Sequence, residues 1–302
     1  MDVGPSGYRA MWAGLAAVSL ERDFIAVSGP QAVEYLQGQL SQDVSDLAPG
    51  RSALTLLLEP QGRLVAFARV SRLDEDRLVI DTDPGAGEGA LERLRRFKLR
   101  TKVDIEAVEG WRCLALRGPG LSGWSPTSAG VGTELAAEFA WPALAGLDLL
   151  GPVPQLPPEA TPCPAQDWEA ARIEIGLPRM GSDLDARTIP EEAGLVAATV
   201  SFTKGCYTGQ ELVARIDARG ANVPRRLRGV VADSEVPLGA ELVVDEQTVG
   251  SVTSSAVSPE LGPVALAYLK RGFEVPLSCT LRWPEGSCRG TVRALPLRSA
   301  QR

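Results

Sequence analysis

From Arg225 onward the chain reads as six short apolar stretches: "RRLRGVVAD", "ELVVD", "TVGSVTSSAV", "PVALAYLKRG", "LSCTLRW" and "RGTVRALPL". Gly, Pro or Asp separates each from the next. Evenly spaced strands with almost no helical periodicity predict a small closed barrel. A domain boundary is expected near Pro224, dividing the chain into residues 1–224 and 225–302.

The region before Pro224 mixes periods. "FIAVSGPQAVEYLQGQLSQDV" reads as a strand, a Ser-Gly-Pro turn and a helix with Val33, Leu36 and Leu40 on one face. "ALTLLLEPQGRLVAFARVSRLDEDRLVIDTD" reads as a three-stranded meander, "LERLRRFKLR" as a helix, and "TKVDIEAVE" and "WRCLALRGP" as further strands. Strands meeting at short turns, with helices between them, predict α+β rather than a doubly wound parallel sheet. The Pro-rich "GPVPQLPPEATPCP" is expected to be a surface connector. "AQDWEAARIEIGL" is a helix with Trp168, Ala171 and Ile175 as its buried stripe, and "ATVSFT" a short strand.

Composition narrows the chemistry. With 302 residues there is room for a large core and more than one domain. A formal net charge of -7 disfavours non-specific binding to nucleic acid or anionic membrane. The chain has no histidine, which removes the commonest general base and the commonest nitrogen ligand for metals. Cys113, Cys163, Cys206, Cys279 and Cys288 form no CxxC pair, so no metal site is read from them. A disulfide between Cys279 and Cys288 across a hairpin is disfavoured, and a reducing, cytoplasmic compartment is expected. The apolar stretch from Ala10 to Leu20 runs straight into Glu21, Arg22 and Asp23 and then a strand, and no run has transmembrane length.

Two motifs carry possible chemistry. "GAGEGA" (Gly85 to Ala90) matches a dinucleotide fingerprint only formally. Asp81 and Asp83 crowd the place of a pyrophosphate, so a flexible loop is expected there. "TKGCYTGQE" (residues 203–211) is richer. Thr208 and Glu211 fit a capping box, which would start a helix after Thr208 and leave Cys206 at its N-terminus. If residues 204–206 are extended, Lys204 projects beside Cys206 and favours the thiolate. A structural reading stands beside this one: a capped turn that holds a small buried thiol. Arg172, on the helix before a Gly-Leu-Pro break, can hold a carboxylate bidentately or make a surface salt bridge with Asp167 or Glu169.

"KGCYTGQELVAR…RGAN" resembles the signature of the YgfZ family of folate-binding proteins, relatives of the glycine-cleavage T-protein. "VSGPQAVEYLQGQLSQDVSDL", "EPQGRLVAFARV", "RRFKLRTKVDIE" and "ARIEIGLPRMGSDLDARTIPEEAGL" extend the likeness over nearly the whole chain. The resemblance implies an aminomethyltransferase-like fold: two α+β subdomains and a C-terminal β-barrel around a central cavity that holds tetrahydrofolate or a derivative. It implies an accessory role in iron–sulfur cluster assembly or repair, with iron–sulfur enzymes, tRNA-modifying radical enzymes among them, or assembly proteins as partners. Cys206 matches the signature thiol and Lys204 its neighbour. Tyr207, Gln210 and Glu211 shape the folate-side loop, and Arg172 matches an arginine expected near the folate tail. The alternatives are a tetrahydrofolate-dependent one-carbon transferase and a non-catalytic module for another flat cofactor such as a flavin. The catalytic aspartate of T-proteins falls near residues 81–90, where Glu88 lies nearest, and their pterin-holding glutamate has no match in "AWPALAGLDLL". Where many relatives have a histidine after "TIP", Glu191 follows Pro190.

Overall fold

The computed structural model describes residues 7–122, 132–218, 220 and 222–298; Arg219 and Ala221 of the "RGAN" segment lie outside them. The chain opens with α1 (Gly7–Ala13), β1 (Ala16–Leu20), β2 (Asp23–Ser28) and α2 (Ala32–Gln39). The meander β3 (Ser52–Leu58), β4 (Leu64–Arg72) and β5 (Arg77–Thr82) leads into α3 (Gly87–Phe97) and β6 (Asp104–Ala107). Next come β7 (Arg112–Arg117), β8 (Leu135–Trp141), β9 (Leu144–Gly151), the short β10 (Thr161–Pro162) and α4 (Ala165–Glu174). The helices α5 (Val196–Thr199) and α6 (Gln210–Ala218) precede the last six strands. These are β11 (Arg225–Ala232), β12 (Glu241–Val244), β13 (Gln247–Ser258), β14 (Gly262–Lys270), β15 (Leu277–Trp283) and β16 (Gly286–Arg293).

Two five-stranded sheets form the N-terminal region, in the orders β3-β4-β5-β2-β6 and β10-β1-β7-β9-β8, and β11–β16 close into a barrel in the order β11-β14-β13-β12-β15-β16. The pairing is antiparallel except between β10 and β1, so the class is α+β. α2 with its capping residue Leu40, and α3, lay Leu36, Leu40 and Leu94 on Ile25, Val70 and Ile80 of the first sheet. α4 and the Ile175 that follows it bury Trp168, Ala171 and Ile175 against the second, in the core that also holds Tyr8, Met11, Ala16 and Val18 from the N-terminal segment. Val230, Leu242, Leu281 and Val292 fill the barrel and are fully buried, each worth about 1.5–3 kcal/mol of transfer free energy. Among the described residues, no helix is long and apolar enough to cross a membrane.

Three local expectations need correction. "ATVSFT" starts as the single helical turn α5, where the Thr199 hydroxyl donates to Leu195 O, and continues as a loop. The Pro-rich connector is exposed over most of its length, as expected, and its end is tied to the second sheet, with the Thr161 and Cys163 N–H groups donating to Leu15 O and Ala17 O. "GAGEGA" is a loop only up to Ala86, since α3 begins at Gly87. There an Asp23 carboxylate oxygen accepts from the Gly85 and Gly87 N–H groups, so a carboxylate already fills the anion position. Finally, Thr208 and Glu211 form no capping box: Thr208 Oγ1 donates to Gly38 O, and Glu211 is exposed. Cys279 and Cys288 are free thiols, and the register pairs Cys279 with Gly290 and Cys288 with Leu281.

Candidate functional site

The two sheets, α4 and the turn after it enclose a cavity of about 360 Å3. Phe67 of β4, Phe139 of β8 and Trp168 of α4 give it flat apolar walls. Phe139 meets Trp168 edge-on, with ring centroids 6.2 Å apart.

Between these rings runs a chain of charges. Arg69 and Asp81 face each other across β4 and β5, and Arg69 donates to both carboxylate oxygens. Its remaining arm reaches Asp148 of β9 at 2.7 Å, joining the two sheets. Arg117 takes the other oxygen of Asp148. Arg22 adds Asp81 and Asp83, and Asp83 in turn accepts the Met180 N–H. Burial opposes the charge on Asp148, but Arg117 and Arg69 outweigh it and hold the carboxyl down at about 2. Cys113 lies in the same buried cluster of charges, and burial pushes its thiol well up, which disfavours the thiolate. Gly146 makes room for Arg117: a Cβ there would sit 2.9 Å from the guanidinium.

Arg172 lines the cavity, yet all five of its N–H donors are engaged. They go to Glu169 (two), Asp183, Leu177 O and Ser254. Burial works against its charge, while Glu169 and Asp183 hold it protonated. In this arrangement it ties α4 to the loop at Asp183 and to barrel strand β13.

The "TKGCYTGQE" loop is built by other means. The Lys204 ammonium donates to Gln37 O, Leu40 O and Gln42 O at 2.7–2.8 Å, which caps the C-terminal end of α2. Burial draws this amine down to about 8. Tyr207 is buried in the core shared with the barrel, and the Gln210 side chain accepts its N–H. Gly209 has φ 86°, and a Cβ there would meet Glu59 O at 2.6 Å, so it lies directly on the β3–β4 turn. Cys206, by contrast, is exposed; Cys113, Cys163 and Cys279 are buried and Cys288 is half-buried. Lys204 therefore fixes the loop that carries Cys206 and has no donor left for the sulfur.

Cys206, Tyr207, Gln210 and Glu211 are not among the cavity-lining residues, whereas Arg172 is. The signature and the cavity are thus two separate places. Sequence reasoning overlooked Arg22, Arg69, Arg117, Asp83 and Asp148. Their signal was a charge inside an apolar strand pattern, as in "LVAFARV" and "AGLDLL", which requires a buried partner. Among the described residues, no group of three or more acidic or cysteine side chains is placed to hold a metal ion.

Residues 12–122 match the GCVT N-terminal domain, and residues 225–296 match the glycine cleavage T-protein C-terminal barrel domain. The chain is 32% identical over 214 residues to the tRNA-modifying protein YgfZ of Klebsiella pneumoniae, covering 65% of each chain. It is 30% identical over 230 residues to the protein of the same name from Pectobacterium atrosepticum, covering 69% of this chain and 68% of that one. The glycine cleavage system aminomethyltransferase T of Bartonella henselae superposes with a TM-score of 0.80 at 21% identity, over 98% of this chain and 89% of that one, so the two share a fold. The chain belongs to the YgfZ/GcvT-like family.

Proposed function

We propose that the cavity holds a reduced folate and that Cys206 is the thiol through which the protein meets its clients. The chain is then a cytoplasmic, folate-binding accessory factor in the assembly or repair of iron–sulfur enzymes, tRNA-modifying radical enzymes among them. One observation carries this reading: a flat-walled cavity for a planar ring is separate from an exposed thiol on a rigid loop. Phe67, Phe139 and Trp168 suit the faces of a pterin. Asp83 and Glu21 on the cavity wall can accept from its ring N–H and amino groups. A reduced folate, when bound, carries a one-carbon unit. Lys204, Tyr207 and Gln210 hold the Cys206 loop in place; Arg172 keeps Glu169 and α4 in position.

One observation favours a tetrahydrofolate-dependent one-carbon transferase as the second reading: Asp83 and Asp148 put carboxylates on the cavity wall. Both already accept guanidinium N–H bonds, and Glu88 is exposed on α3, outside the cavity lining. A free, uncommitted base is therefore missing from the described lining except for Glu21.

Titration calorimetry with (6S)-5-formyltetrahydrofolate tests the cavity, and failure to see saturable binding would end the folate reading. A visible absorbance band in the purified protein would point to a flavin instead. Cys206→Ser is expected to bind folate like the wild type. It should not restore iron–sulfur enzyme activity in cells that lack the protein, and full restoration would remove the thiol from the mechanism.

A further inference from the structure

Five arginines line the cavity, and the partners of their guanidinium nitrogens, taken with exposure, separate one from the rest. Arg172 has none to spare, as described above. Arg69, 4% exposed at its side chain, is spent on Asp81 and Asp148. Arg22 is spent on the Asp81 side chain, the Asp81 carbonyl and Asp83. Arg117 has two nitrogens, carrying three N–H groups, without a partner, but they are buried, and its guanidinium lies 3.8 Å from the Phe139 ring and 5.0 Å from that of Trp168. Arg117 is therefore held deep beneath the Phe139 ring and is not presented at the cavity edge.

Arg179 differs. Its side chain is 44% exposed. It makes two long contacts, to Ser182 Oγ at 3.4 Å and Glu169 Oε2 at 3.2 Å, and its other terminal nitrogen has no partner among the described residues. Its backbone, by contrast, is fixed. The Arg179 N–H donates to Asp183 Oδ2, and Arg179 O accepts from the Asp183 and Leu184 N–H groups. Pro178, immediately before it, has its own φ fixed by the ring. A half-exposed guanidinium, ion-paired to Glu169 through one terminal nitrogen and with the other unpartnered, thus stands on a held base at the edge of the cavity. Its neighbour Glu169 is already occupied by two N–H groups of Arg172. Glu21, also on the lining, is an exposed carboxylate without a described ion pair and acts in the opposite sense.

We propose that Arg179 forms a carboxylate subsite at the edge of the cavity, so that the site selects a planar ligand carrying an anionic tail. The inference rests on the folate reading and names the residue that would take the tail: Arg179 rather than Arg172. A carboxylate accepts N–H bonds from a guanidinium, and Arg179 is the lining arginine with an exposed terminal nitrogen left to offer them.

The test uses two ligands that share a reduced pterin ring: (6S)-5-formyltetrahydrofolate, which has the glutamate tail, and tetrahydrobiopterin, which lacks it. Arg179→Ala should weaken binding of the folate by about 10-fold, the low end for a charge-assisted pair at a partly exposed site, and leave tetrahydrobiopterin within about twofold. Arg179→Lys keeps the charge without the fork and should fall between. Added salt should narrow the gap between wild type and Arg179→Ala. A loss shared equally by both ligands, or no loss for the folate, would overturn the subsite. If the wild type binds neither ligand, the folate reading fails and the subsite fails with it. Arg179 is on the surface, and a melting curve matching the wild type confirms that the variant is folded.

Discussion

In the barrel, Val230, Leu242, Leu281 and Val292 meet one another in an apolar interior. In the seam between the two N-terminal sheets, Arg69, Arg117, Asp81 and Asp148 are buried just as deeply. The two regions are stabilised by different physics. Apolar burial is additive and forgiving, and it depends little on pH. A buried charge network is stable only while every partner is present, because one missing group leaves another charge uncompensated in low dielectric. The barrel can therefore be built for stability alone. The seam retains a costly polar interior, and the cavity lies there.

The comparison breaks most sharply at Asp148. Asp148→Asn removes the shared counter-ion of Arg69 and Arg117 and should destabilise the protein by about 3–5 kcal/mol in chemical denaturation. The wild type should also be acid-sensitive here. Its folded pKa of about 2 lies below the ordinary 3.8, so the unfolded chain binds the proton more readily. The Asp148 contribution is then full above pH 3.8 and is lost as pH falls towards 2, where the variant should lack this part of the slope. In the barrel, Leu281→Ala should cost about 2–4 kcal/mol, with no change in that slope and no change in folate affinity. A matching loss of folate affinity would mean that the two regions are not independent.

Lys204→Met tests whether the signature lysine belongs to structure or chemistry. Losing three bonds to the end of α2 should cost about 1–3 kcal/mol of stability. Alkylation of Cys206 by iodoacetamide should be no slower in the variant, because the amine is committed to carbonyls. A clear slowing would restore Lys204 as a partner of the thiol. The smallest effect is expected from Glu211→Ala. This exposed side chain caps nothing, and the change in stability should stay within about 0.5 kcal/mol.

Periodicity made the barrel legible, since strand after strand alternated between turn residues at even spacing. The helices α2, α3 and α4 were legible for the same reason, in α2 and α4 down to Leu36 and Trp168. The cavity was not, because Arg69, Arg117 and Asp148 lie far apart in sequence and their pairing exists only once two sheets meet. The signature loop was half legible. Its chemistry-bearing types were visible, but Lys204 and Thr208 turned out to bond to α2, more than 160 residues away. Local rules of capping and strand alternation had no access to that contact, so they assigned Thr208 to Glu211 and Lys204 to Cys206.

The loop's dependence on α2 and on the β3–β4 turn also decides how tolerance to mutation should be interpreted along "KGCYTGQE". Substitutions at Lys204, Tyr207, Thr208 and Gly209 would lower the amount of folded protein in a cell, whatever the protein does there. Cys206 points outward and supports none of these contacts, so changing it should leave abundance alone. A survey that scores abundance and cellular activity side by side would then separate the residues of one motif. Constraint seen in both scores would belong to the scaffold, and constraint seen at Cys206 in activity alone would be the imprint of chemistry.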